Sequence, residues 1–196
     1  EVVARRLEKP LSACTVALQG LGEVGGRLAQ KLAGRGVDLI VTDTVPGRLD
    51  AVVQATGARA VAPDEIFTVG CDIFSPNAAG AVITNAVAGQ LRCRAIIGAA
   101  NNPLAAEEVG EELARRGLLY APDYVVNAGG LLSVLFETGE LDEAGILARV
   151  ERIGADLAQL LDRAERERTP PFRVAHRVVA ERLAAARAAR QAATLV

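Results

Sequence analysis

Two features of the chain could do chemistry together. One is the glycine cluster Gly20-Leu21-Gly22-Glu23-Val24-Gly25-Gly26; the other is an acid, Asp43, eighteen residues past Gly25. Glycines at the first, third and sixth places make a G-x-G-x-x-G turn. The first permits a tight turn, the second lets backbone approach a pyrophosphate, and the third lets a helix pack closely on the preceding strand. That helix's N-terminus would offer free N–H groups and positive dipole to phosphates. A carboxylate at Asp43 can accept hydrogen bonds from both hydroxyls of an adenosine ribose and would repel a 2′-phosphate, which favours NAD over NADP. The expected cofactor-contacting set here is Gly20, Gly22, Glu23, Val24, Gly25, Asp43, Thr44 and Arg48. Arg48, the one nearby cation, reads as a solvated side chain at a helix start. Glu23 puts a negative charge in the turn, suits the helix dipole, and is expected to point to solvent.

Such a turn works only between a strand and a helix, and the surrounding pattern supplies both. Thr15–Gln19 reads as a strand, and Val24, Leu28 and Leu32 recur at helical spacing up to Gly34 or Gly36. Val37–Thr42 is a continuous apolar strand ending at Asp43. A helix from about Arg48 to Ala55, a short strand Ala58–Val61, a helical turn at Asp64–Phe67 and a strand Cys71–Phe74 follow. Helix Val82–Leu91, strand Ala95–Ala100, helix Ala105–Arg116, strand Leu118–Tyr120 and an apolar piece, Tyr124–Val126, complete the alternation. Strands apolar on both faces, alternating with helices, predict a three-layer, doubly wound α/β fold of Rossmann type with a mostly parallel sheet. From about Leu141 the pattern is wholly helical. Ile146, Val150, Ile153, Leu157 and Leu160 form one stripe, Thr169-Pro170-Pro171 breaks it, and a last helix runs from about Phe172 to Arg190. The expected division is a lead-in at 1–14, a dinucleotide-binding domain at 15–140, and a helical extension at 141–196.

Composition narrows the classes. The chain has 196 residues, is 51% apolar and 23% charged, and carries a net charge of −2. That excludes a disordered chain and argues against a nucleic-acid partner. No apolar run reaches the roughly 20 residues of a membrane span, and no basic-then-apolar leader opens the sequence, so the expected setting is cytoplasmic and away from membranes. The cysteines, Cys14, Cys71 and Cys93, lack metal-ligand spacing, and Cys71 and Cys93, in or beside apolar runs, suit buried reduced thiols. There is no methionine, even at position 1, which points to a processed N-terminus or a piece of a longer chain.

Further loops carry a family resemblance. Phe74-Ser75-Pro76-Asn77-Ala78-Ala79-Gly80-Ala81-Val82-Ile83, then Gly98-Ala99-Ala100-Asn101-Asn102-Pro103-Leu104, then Leu119-Tyr120-Ala121-Pro122-Asp123-Tyr124-Val125-Val126-Asn127-Ala128-Gly129-Gly130 follow the glycine turn in order. Together they resemble the coenzyme half of the leucine/phenylalanine/valine branch of the glutamate dehydrogenase superfamily, from about Thr15 to the C-terminal helix. Each loop follows a predicted strand, where ligands bind in open α/β sheets. The resemblance implies Asn77, Ala78, Ala99, Ala100, Asn101 and Asn127 on the nicotinamide side, with Asn101 also toward substrate. It implies Leu131 and Val134, one helical turn apart, as the lining for an apolar amino-acid side chain. Two departures stand out: Gly80-Ala81 where the family usually has two glycines, and Asn77 where it often has cysteine.

The resemblance also shows what to look for elsewhere. Family members oxidise an L-amino acid to a 2-oxo acid, using a lysine as base, an aspartate, and a second lysine for the substrate carboxylate, all in an N-terminal substrate domain. Only Lys9 and Lys31 occur here, and neither suits that work; about 14 residues precede the first strand where a domain of roughly 100 would be needed. His176 reads as a surface residue. No catalytic residue is assigned, and an amino acid or 2-oxo acid is an expected partner only with a catalytic half. The alternatives are a non-catalytic NAD-binding sensor and a structural subunit. Val174, Val178, Val179 and Leu183 form an apolar band on the last helix, which predicts a homo-oligomer or association with a substrate-domain chain.

Overall fold

The computed structural model describes residues 1–194. Six strands form one sheet: β1 (Thr15–Gln19), β2 (Asp38–Thr42), β3 (Arg59–Ala60), β4 (Ile73–Pro76), β5 (Ala95–Ile96) and β6 (Leu119–Tyr120). Their order is β3-β2-β1-β4-β5-β6, and every pairing is parallel. The chain starts in the middle, winds to one edge, returns and winds to the other. The reversal falls between β1 and β4, the place where open α/β sheets bind ligands at the carboxyl ends of their strands.

Alternation along the strands builds a core on both faces. Val16 and Leu18 of β1, Leu39 and Val41 of β2 and Ile73 of β4 share one cluster, while Ala17, Ile40, Phe74 and Ile96 share the other. Successive strand side chains point to opposite faces, so each strand is apolar throughout because helices cover both sides. Fully buried Leu18, Phe74 and Ile96 each contribute roughly 1.5–3 kcal/mol of transfer free energy. The helices are α1 (Val2–Arg6), α2 (Glu23–Ala33), α3 (Pro46–Thr56), α4 (Asn85–Gln90), α5 (Glu107–Arg115), α6 (Asp123–Val126), α7 (Gly129–Glu137), α8 (Glu143–Glu167) and α9 (Pro171–Thr194). A 3₁₀ turn at Glu65–Phe67 stands where the sequence predicts a helical turn.

Several boundaries move, each for a local reason. Helix α3 begins at Pro46, whose fixed φ and missing N–H suit the first helical position. Helix α4 starts late because Thr84 caps it, its hydroxyl accepting from Val87 N. Strand β5 stops at Ile96: beyond it the chain bends over Pro76, with Ala100 N donating to the Pro76 carbonyl at 3.0 Å. Tyr124–Val126 is helical, as α6. Residues 1–14 hold helix α1, whose Val3 and Ala4, with Leu7, are buried in the same cluster as Leu157 and Leu161 of α8. Val174 is fully buried against Leu160 and Ala164, while Val179 and Leu183 are about half exposed, so the apolar band of α9 divides in two.

The three cysteines are free thiols, Cys14 buried and the others half-buried. Burial pushes Cys71 up to about 12 and Cys93 up to about 11. No described helix is long and apolar enough to cross a membrane.

Candidate coenzyme site

The candidate crevice beside β1 and β4 is built from five loops, at the carboxyl ends of β1, β2, β4, β5 and β6. In the β1–α2 turn, Gly20 has φ +89°, and a Cβ there would meet the Ala78 backbone nitrogen at 2.8 Å. A Cβ on Gly25 would overlap the Gly20 carbonyl oxygen, so any side chain would push helix from strand. Gly22 is the N-cap of α2. No side chain caps the helix there, and nothing lies within 4 Å of where a Gly22 Cβ would be. The first N–H groups of α2 thus have no side-chain partner among the described residues, the chemistry a phosphate requires. Val24 is exposed on that first turn. Glu23 turns outward and pairs with Arg27 at 2.9 Å.

Asp43 follows β2 and closes on the same turn. Its Oδ2 accepts from Leu21 N at 2.6 Å and its Oδ1 from Val45 N at 2.8 Å. The carboxylate therefore clamps the glycine turn to the β2–α3 loop, and each oxygen keeps a further lone pair for another donor. Thr44 and Arg48 are exposed beside it.

On the other side of the crevice the side chains tie loop to loop. Asn77 Oδ1 accepts from Ala99 N at 3.0 Å, and Asn77 Nδ2 donates to the Ser75 carbonyl at 2.9 Å and to Ser75 Oγ at 3.0 Å. The departure at Asn77 is thus a bridge between the loops after β4 and β5. Ala100 is buried, and Asn101 projects from the loop to accept from Asn127 Nδ2 at 2.7 Å. The two asparagines, from loops after β5 and β6, are one hydrogen-bonded pair. Leu131 and Val134 lie on α7, 71% and 47% exposed, with none of the described residues closing a pocket over them.

Sequence reasoning missed the group that ties the loop after β5 to β6 and the start of α6. Asp123, buried at the start of α6, accepts from Asn102 N at 2.8 Å and from the Tyr120 hydroxyl at 2.9 Å. Burial, together with the Asp123 charge beside it, pushes the Tyr120 phenol well above its ordinary range, so it stays a donor. Asn102 sits at φ +47°, a conformation asparagine tolerates, and its carbonyl accepts from Ala81 N at 2.7 Å. The available signal was an acid directly after Pro122 at a helix start.

Neither lysine reaches the crevice. Lys9 Nζ binds both oxygens of Asp72 at 2.8 Å, at the amino end of β4, and Lys31 lies in the last turn of α2. His176 is exposed on α9 and stacks on Tyr124 with ring centroids 5.7 Å apart. Tyr124 is pushed up to about 12 by burial and by the charges of Asp123 and Glu107, and its hydroxyl donates to the Phe172 carbonyl at 3.2 Å.

Comparison with known proteins agrees with the fold. Residues 39–191 match the profile described as Glutamate/Leucine/Phenylalanine/Valine dehydrogenase. The chain is 39% identical over 168 residues to a leucine dehydrogenase of Thermoactinomyces intermedius, across 86% of this chain and 46% of that one. It superposes on the crystal structure of L-tryptophan dehydrogenase from Nostoc punctiforme with a TM-score of 0.87 at 36% identity, over 92% of this chain and 55% of that one. It superposes on the hetero-hexameric glutamate dehydrogenase of Thermus thermophilus, in its Leu-bound form, with a TM-score of 0.74 at 25% identity, over 93% and 50%. The chain spans about half the length of the curated relatives it matches.

Proposed function

The chain belongs to the Glutamate/Leucine/Phenylalanine/Valine dehydrogenase family, and on that premise we propose that it is the NAD(H)-binding coenzyme half of an amino acid dehydrogenase. The reaction assigned to the assembled enzyme is oxidative deamination of an apolar L-amino acid to a 2-oxo acid. One observation carries the proposal: an uncapped α2 N-terminus at Gly22, held beside a carboxylate, Asp43, that already grips the same turn.

In this reading the N–H groups at Gly22, Glu23 and Val24 hold the phosphates and Asp43 takes the adenosine ribose, with Thr44 and Arg48 at its rim. Ala78, Ala99 and Ala100 let backbone come close to a flat ring. The Asn101–Asn127 pair offers its remaining amide donors and acceptors to the nicotinamide side and to a substrate carboxylate, and Asn77 keeps the two loops in register. Leu131 and Val134 receive the apolar side chain. The coenzyme supplies the hydride acceptor. This chain's residues bind, orient and exclude; Lys9 is committed to Asp72, so the proton chemistry falls to a lysine-bearing domain outside it.

A second reading, a sensor or structural subunit without turnover, draws on that same lysine placement. The nicotinamide-side asparagine pair favours the first, since a sensor of the adenosine end has no use for it. Calorimetry with NADH and NADPH tests the proposal. NADH should bind more tightly, and Asp43→Ala should weaken NADH by about 1–3 kcal/mol while leaving NADPH little changed. Equal affinities would remove the role given to Asp43. Equal losses for both coenzymes would show that Asp43 only holds the turn. The chain alone should make no NADH from leucine, valine or phenylalanine.

A further inference from the structure

At the opposite edge of the sheet, where β5 and β6 begin, the chain folds around a cleft of about 1020 Å³. Five arginines from four stretches line it: Arg5 and Arg6 of α1, Arg94 before β5, Arg116 after α5, and Arg168 after α8. Glu8 and Glu165 are the acids among the lining residues, which leaves a surplus of three positive charges in a chain whose net charge is −2.

The donors of these arginines are only partly used. Arg6 pairs with Asp162 and Glu165. Arg94 Nη1 donates to the Leu7 carbonyl and Arg116 Nη2 to the Leu91 carbonyl, both at 3.0 Å. Arg116 Nη1 is buried with no hydrogen-bond partner among the described residues, one of two side-chain atoms so placed. Arg5 and Arg168 are exposed and make no ion pair among the described residues. Buried donors are ordinarily satisfied, so Arg116 carries one unmet donor within the cleft wall.

Backbone strain marks the same place. Four described residues other than glycine have positive φ. Ala81 and Asn102 belong to the coenzyme loops; Glu8 at +57° and Arg168 at +49° line this cleft. Arg168 ends α8 in the left-handed conformation that glycine fills most easily, so a guanidinium is kept there against local preference. The walls between the arginines are apolar, with Leu118, Leu161 and Pro171. Planar guanidinium groups match carboxylate and phosphate oxygens, and an apolar wall suits a carbon framework.

We propose that this cleft binds an organic polyanion, a molecule carrying two or more phosphate or carboxylate groups, independently of the coenzyme crevice at the far end of the strands. The proposal does not rest on the dehydrogenase reading.

Calorimetry on the full chain at low salt, with inorganic pyrophosphate and separately with citrate, tests it. Three proteins are compared: wild type, the Arg5→Gln/Arg168→Gln double variant, and Gly22→Ala. Both arginines are exposed, and neither makes an ion pair among the described residues that the fold would lose. Gly22→Ala has room for its methyl at the N-terminus of α2, where the coenzyme reading puts the phosphates. Saturable binding to wild type is expected, at least tenfold weaker in the double variant, unchanged in Gly22→Ala, and weakened by added sodium chloride. Tighter binding of pyrophosphate assigns the cleft to phosphates, and tighter binding of citrate to carboxylates. Absence of saturable binding, equal affinity of wild type and double variant, or a loss confined to Gly22→Ala would overturn the proposal. In those cases the arginines serve only to cap the helix ends around them.

Discussion

At the scale of single residues, the site is a set of small, local necessities with a few exceptions. The turn geometry at Gly20, Gly22, Gly25 and Asp43 is legible in the sequence because it depends on what lies within one strand–helix–strand unit. Asp123 was not legible. Its partners are Tyr120 on the preceding strand and the backbone of Asn102, twenty-one residues away, so its role exists only once β5 and β6 pair. Ala81 is the opposite case, a departure visible in the sequence whose cost shows only in the fold. It takes φ +58° where a glycine would be unstrained, and its side chain is exposed, so its methyl group earns little by packing. A left-handed conformation costs an L-residue about 1–2 kcal/mol, and glycine's extra freedom in the unfolded chain returns part of the difference. Ala81→Gly is therefore expected to stabilise the chain by roughly 0.5–1 kcal/mol, read as a higher urea midpoint at unchanged slope. An unchanged or lower midpoint would show that the strain has been absorbed elsewhere.

At the scale of elements, the sheet was readable and its anchors were not. Strands apolar on both faces announced a covered parallel sheet, whereas α1 is five residues long and carries no periodicity to detect. What fixes α1 is tertiary: Val3, Ala4 and Leu7 pack toward α8, Arg94 donates to the Leu7 carbonyl, and Lys9 binds Asp72. Burial acts to raise the Asp72 carboxyl, but hydrogen bonds from Lys9 and Thr15 N, with the charges of Lys9 and Arg94, hold it below its ordinary value. A lowered folded-state value means that the contribution is complete above the unfolded carboxylate range and is lost as pH falls through the folded value. Asp72→Asn should cost about 1–3 kcal/mol at pH 7. The gap between wild type and variant in urea melts should begin to close near pH 4 and vanish in stronger acid. A gap that stays constant down to pH 3 would mean that the carboxylate's charge contributes nothing there.

At the scale of the whole molecule, apolar surface remains that none of the described residues covers. Leu131, Val134 and Phe136 on α7, Leu147 and Val150 on α8, and Val179 and Leu183 on α9 are each between 41% and 71% exposed. Three helices with apolar exposure exceed the scatter of single surface residues that needs no explanation. The sequence showed the α9 band but not its division, because whether a valine meets α8 depends on how the two helices cross. Val174 is fully buried there, so Val174→Glu would bury a charge without a partner and should destabilise the fold outright. Val179 and Leu183 contribute little to the monomer, so Val179→Glu/Leu183→Glu should melt like wild type. If their band is an interface, either with a second copy or with a catalytic half, wild type should associate at tens of micromolar and the double variant should scatter light as the 20.4 kDa species. Wild type already at that mass under the same conditions would leave the second-copy reading without support. A double variant that still associates would move the interface to α7, where Leu131 and Phe136 are the more exposed pair.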